Sequence, residues 1–238
     1  MRSEYKKRPR ARKSEAGNSI LEFALVMTFL VPMFAGAFTV GMALTKAIQV
    51  SNTARDAVVL MVRQSTDAES GLNLSLANNQ RIIVRAAQGL GMNSDAQDDP
   101  SPTGTAAVIL TKVIMVGPTE CSLGITPAPS GAPPWSSSNC PNYGSYVFAY
   151  RVVIGNGTRW TSTLGNPGGS VQSDGTVTAS NIASNSSYRV TNFGGVTGIT
   201  PALTPSTFAL VSEMYADVSY LNFFHVMGNP VIYARSIS

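Results

Sequence analysis

Gly17-Asn18-Ser19-Ile20-Leu21-Glu22-Phe23 places one carboxylate at the start of an apolar segment of membrane length. From Phe23 to Thr45 there is no charged residue, and 23 helical residues at ~1.5 Å each reach roughly 34 Å, enough to cross a bilayer core. An acidic residue at the centre of such a helix costs about 2.5–3.5 kcal/mol on insertion scales, and less near its end. Glu22 therefore requires a partner.

Upstream, residues 1–16 carry Arg2, Lys6, Lys7, Arg8, Arg10, Arg12 and Lys13 against Glu4 and Glu15, a balance of +5. The remaining 222 residues hold 10 basic against 11 acidic side chains. The basic character of the chain thus belongs to its first 16 residues, which removes the support for a nucleic-acid partner. A short cationic stretch abutting an apolar run instead predicts a cytoplasmic N-terminus, with the chain beyond residue 45 extracytoplasmic. A cut after Gly17 would put a new α-amino group on Asn18, four residues before Glu22. That ammonium would be a counter-charge in a region where low dielectric strengthens the attraction.

A basic leader, a Gly, a Glu five residues later, an aromatic beside it and a long apolar helix resemble the class III signal of type IV pilins and pseudopilins. With the short leader, Glu22-Phe23 and Leu25-Val26-Met27 are most similar to the TadE-like pseudopilins of tight-adherence (Flp-type) pilus systems. Glu213-Met214-Tyr215 and Val231-Ile232-Tyr233-Ala234-Arg235 are similar to the closing strands of that family. The resemblance implies cleavage between Gly17 and Asn18 by a membrane prepilin peptidase. It also implies that Glu22, with Phe23 beside it, meets the N-terminus of a neighbouring subunit. The partners it implies are that peptidase, other pilins or pseudopilins and the lipid of the inner membrane. Asn18 departs from the Phe, Leu or Met common at the first mature position of classical pilins.

Two plainer readings compete. A secretory signal peptide could be cut at Ala35-Gly36-Ala37, but the apolar run continues past what an h-region needs. A plain single-pass anchor with an extracytoplasmic binding module is the other. Within the run, Pro32 removes one backbone hydrogen bond. Gly36 and Gly41 with Ala35, Ala37 and Ala43 form a small-residue surface suited to close helix approach, or simply reflect membrane-helix composition.

Beyond residue 45, Ala47, Val50, Ala54, Val58 and Met61 recur at spacings of 3, 4, 4 and 3, predicting that the helix continues and packs on a head. Ile82, Ile83, Ala86, Ala87 and Leu90 predict a second amphipathic helix, ended by Gly89 to Gly91. From residue 105 the period changes. Val108–Val116 predicts a strand buried on both faces, and Tyr146–Ile154 a second, with Tyr146, Phe148, Tyr150, Val152 and Ile154 on one face. Thr207–Leu221 and Val231–Ile237 predict two more. The expected fold is α+β: a leader over 1–17, a membrane-spanning helix over 18–45 and a pilin-like head over 46–238 with a mainly antiparallel sheet.

Cys121 and Cys140 bracket an 18-residue, proline-rich loop. In an extracytoplasmic domain such a pair predicts a disulfide rather than a metal site, which would need two more ligands. Closing that loop contributes about 3 kcal/mol on the chain-entropy model. Residues 155–206 include 31 Gly, Ser, Thr or Asn and only three charged residues, Arg159, Asp174 and Arg189, which predicts long surface loops that bury little.

Residues for catalysis are not in evidence. One histidine, His225, gives no Ser-His-Asp arrangement, no Gly-rich phosphate loop precedes a helix, and neither cysteine has a partner base. Asp95, Asp98 and Asp99 read as a solvated turn, and the Asn-x-Ser/Thr triplets at Asn73, Asn156 and Asn185 as chance occurrences. The expectation is a non-enzymatic minor pilin or pseudopilin without cofactor or metal.

Overall fold

In the computed structural model the described residues are 16–65, 77–92, 104–125, 134–190, 193, 203–219 and 231–238. Most of the basic leader, Asn73, the acidic run at 95–99, His225 and the end of the expected third strand at Tyr220 and Leu221 lie outside them. The chain divides into two compact units, Met1–Ala43 and Leu44–Ser238. Helix α1 (Ala16–Ser65) belongs to both and continues through Pro32, whose missing N–H leaves the Thr28 carbonyl without its usual helical donor. Over residues 19–43 no side chain is buried.

In the second unit, helix α2 (Ala77–Ala87) runs into a 3₁₀ turn at Gln88–Leu90. Strand β1 (Ala106–Met115), helix α3 (Pro118–Gly124), strand β2 (Tyr146–Gly155), helix α4 (Ala179–Ser184) and strands β3 (Phe208–Asp217) and β4 (Val231–Ile237) follow. The four strands form one antiparallel sheet in the order β2-β1-β3-β4. Strand β1, apolar without interruption from Ala106 to Leu110, is central: it pairs with strands on both sides.

One sheet face buries Val108, Leu110, Tyr150, Ile154, Leu210 and Met214 against Val50, Ala54, Ala57 and Met61 of α1 and Ile83 and Ala87 of α2. The 3.6-residue periodicity of both helices is thus spent on this core, although Ile82 and Ala86 remain exposed. The Lys46 ammonium, the first charge after the apolar run, donates to the Gly89 carbonyl in the 3₁₀ turn that follows α2.

The expected single face of β2 is corrected. Lys112 pairs with Tyr150 but Val113 pairs with Phe148, so Ala149 is an extra residue that reverses the alternation. Tyr150, Val152 and Ile154 meet the helices. Phe148 and Tyr146 instead pack on the opposite face with Val113, Leu164, Val190 and Phe193.

A third cluster joins Cys121, Cys140, Val116, Val147, Ala183 and Tyr188. Cys121 and Cys140 form a disulfide with Cα atoms 5.8 Å apart. Helix α3 starts at Pro118, and its Glu120 carboxylate accepts from the Gly117 N–H at 2.8 Å, satisfying a donor at the helix start. Helix α4 ends on the buried Asn142 amide, which donates to the Ile182 and Asn185 carbonyls, each at 2.9 Å.

The segment expected to bury little in fact covers the sheet. Ser162, Leu164, Val177, Ala183, Tyr188, Val190 and Phe193 are buried. Its short polar side chains cap helices and turns, as Thr178 does for Asn181 N–H and Asn185 for Ser187 N–H, so the backbone can leave water without orphaned donors. Gly175, at φ +87°, adopts a left-handed conformation that favours glycine. There its carbonyl accepts from Arg151 N–H at 2.7 Å.

Candidate functional site

Two groups of residues stand out, one in each unit. In the first, Gly17 and Asn18 lie on the opening turn of α1, and Glu22 and Phe23 follow about one turn later. Glu22 is exposed, and it is the only charged residue of α1 before Lys46. Phe23 is 61% exposed, as are most large apolar residues from Ile20 to Phe38. Residues Ser19–Arg63 contain a window apolar and long enough to cross a membrane, none of it buried. Water is a poor solvent for such a surface, so this helix is a candidate membrane anchor.

The second group went unrecognised in the sequence. Glu213, fully buried on β3, accepts from Thr163 N–H at 3.0 Å, from the Tyr233 hydroxyl at 3.1 Å, and from the Ser162 and Thr163 hydroxyls. Buried Arg151 on β2 donates to the Gly165 carbonyl. Burial lowers the Arg151 pKa, and the charge of Glu213 and Tyr215 partly offsets this. Tyr215 stacks on Trp160 with ring centroids 5.5 Å apart and donates to the Thr161 carbonyl. Arg159 forms an ion pair with Asp217. Arg151, Glu213, Tyr215 and Asp217 of the sheet thus hold the stretch Arg159–Gly165 across it. The lone acid of an apolar stretch, Glu213 within Val211-Ser212-Glu213-Met214-Tyr215, was the available signal.

Burial alone would raise the Asp217 carboxyl pKa, but hydrogen bonds from Ser219 and the Arg159 guanidinium outweigh this and hold it below the usual range. Because the folded value is depressed, this carboxylate stabilises the head above the ordinary aspartate pKa of about 4, and the contribution is lost as pH falls below it. In a Trp135→Phe background, Trp160 emission should therefore change on acidification below about pH 4. Asp217→Asn should remove most of that change; an identical acid profile in both proteins would refute the assignment.

The disulfide joins α3 to the loop before β2 and has no geometric relation to a metal ligand set. Among the described residues no cluster of His, Cys, Asp or Glu side chains could hold a metal ion.

Residues 17–58 match the family model described as TadE-like protein. This segment, which contains Gly17, Asn18, Glu22 and Phe23, is similar to TadE-like proteins. No curated protein matches the chain, and no solved structure does.

Proposed function

We propose that this chain is a non-enzymatic minor pilin or pseudopilin acting in the assembly of a tight-adherence (Flp-type) pilus or a related secretion system. The TadE-like match supports involvement in such a system. The observation that carries the reading is Glu22: a single exposed acid in a charge-free, membrane-length helix, inside the matched segment. An uncompensated carboxylate at that depth is unfavourable. Cleavage between Gly17 and Asn18 by a prepilin peptidase supplies an ammonium, which Glu22 of an adjacent subunit then meets as the helices bundle.

In this proposal the helix over 18–45 resides in the bacterial inner membrane, with the leader cytoplasmic and the head over 46–238 extracytoplasmic. Its partners are the peptidase, sibling pilins or pseudopilins and membrane lipid, with no nucleic acid. A disulfide in the head suits an oxidising extracytoplasmic compartment.

Intact-mass measurement of the membrane fraction, with and without the prepilin peptidase, tests the first step. The expected result is loss of residues 1–17 only when the peptidase is present. A full-length mass under both conditions would favour the static membrane-anchored binding module, and a new N-terminus at Phe38 a signal peptide.

A further inference from the structure

A cavity of about 270 Å³ opens in the head between the sheet and helices α3 and α4, lined by Lys112, Glu120, Leu123, Tyr150, Val177 and Ile182 among others. Its volume lies just under the roughly 300 Å³ at which clefts for drug-sized ligands begin. Lys112 and Tyr150 are paired directly across β1 and β2, so their side chains rise from the same face of the sheet. The Lys112 ammonium lies 4.4 Å over the Phe208 ring and makes no hydrogen bond or ion pair among the described residues. Glu120 uses Oε2 to accept from Gly117 N–H and the Ser206 hydroxyl, each at 2.8 Å, leaving Oε1 without a donor among the described residues. Tyr150 is 1% exposed and its hydroxyl lacks a hydrogen-bond partner among the described residues.

A cation and a carboxylate thus share one small cavity without meeting, and the other walls are mainly apolar. Burial lowers the Lys112 pKa, with Glu120 opposing the shift, so the ammonium has surrendered hydration without gaining an acceptor. Asp174, which also influences Tyr150, is occupied by Thr176 N–H and its hydroxyl. A ligand complementary to this set carries an acceptor anion, a donor cation and a compact apolar group.

We propose that this cavity binds a free α-amino acid with an apolar side chain, its carboxylate on Lys112, its ammonium on Glu120 and its side chain against Leu123, Val177 and Ile182. Neither charge of the zwitterion is then left unpaired. Binding at this place in the head does not depend on the membrane helix or on pilus assembly.

The test is calorimetric titration of the full-length, detergent-solubilised protein with L-leucine, 4-methylpentanoate and 3-methylbutylamine. Saturable binding of leucine is expected, with each single-charge analogue about tenfold weaker, as loss of one charge-assisted hydrogen bond implies. Lys112→Gln should weaken leucine by a similar factor with the far-ultraviolet dichroism of the fold retained. No saturable heat with leucine would overturn the proposal. So would affinity for 4-methylpentanoate or for 3-methylbutylamine equal to that for leucine, which would mark a carboxylate site or an amine site respectively. Because the analogue series is measured on the unaltered protein, the outcome stands even where a variant fails to fold.

Discussion

Glu213→Ala is expected to destabilise the head by about 3–5 kcal/mol, the range seen when one partner of a buried charged network is removed. The substitution strips acceptors from the Ser162, Thr163 and Tyr233 hydroxyls and from Thr163 N–H. It also leaves buried Arg151 without the nearby carboxylate that offsets its desolvation. For a unit of this size the loss corresponds to a fall in melting temperature of roughly 10 °C. Thermal unfolding of the solubilised protein checks it, with Tyr233→Phe as a milder comparison near 1 kcal/mol. Equal midpoints for Glu213→Ala and the parent would mean that the clamp on Arg159–Gly165 contributes nothing.

Glu22→Gln is expected to have the largest effect on assembly. Two unit charges about 4 Å apart at an effective dielectric near 20 attract by about 4 kcal/mol, so losing the carboxylate should lower incorporation into filaments or their complexes by at least about tenfold. Glutamine preserves size and hydrogen bonding, and cleavage after Gly17 should continue. The informative measurement pairs the mass of the membrane-bound chain with its recovery in sheared filaments or cross-linked complexes. Normal mass with normal recovery would remove the counter-ion role.

Much of the architecture could be read in the chain because hydrophobic spacing records burial. The 3.6-residue recurrence from Ala47 to Met61 marks the part of α1 that packs on the sheet, and the uninterrupted run from Ala106 to Leu110 marks a central strand. The reading failed where neighbours decide the outcome. Nothing local to Tyr146–Ile154 reveals that Ala149 is surplus, because the bulge is defined by its pairing with Lys112 and Val113. Ser212, Glu213 and Asp217 interrupt the apolar residues of β3, yet all three are buried. The partners of Glu213 and Asp217 come from Arg159–Gly165 and Ser219, and only the folded chain brings the former to them; the Ser212 hydroxyl has no hydrogen-bond partner among the described residues. The same long-range dependence hid the cavity pairing of Lys112 with Tyr150. By contrast, Glu22 was conspicuous because one carboxylate in an apolar run needs no partner to be noticed.

The order β2-β1-β3-β4 also sets a timetable. Ile109 must wait for Glu213, about a hundred residues further on, so β1 emerges from the ribosome or translocon long before the strand that covers its second edge exists. Distant pairings of this kind fold slowly and leave apolar edges open in the interval. The run Ala106–Met115 consequently keeps one edge unpaired in the nascent head until β3 arrives.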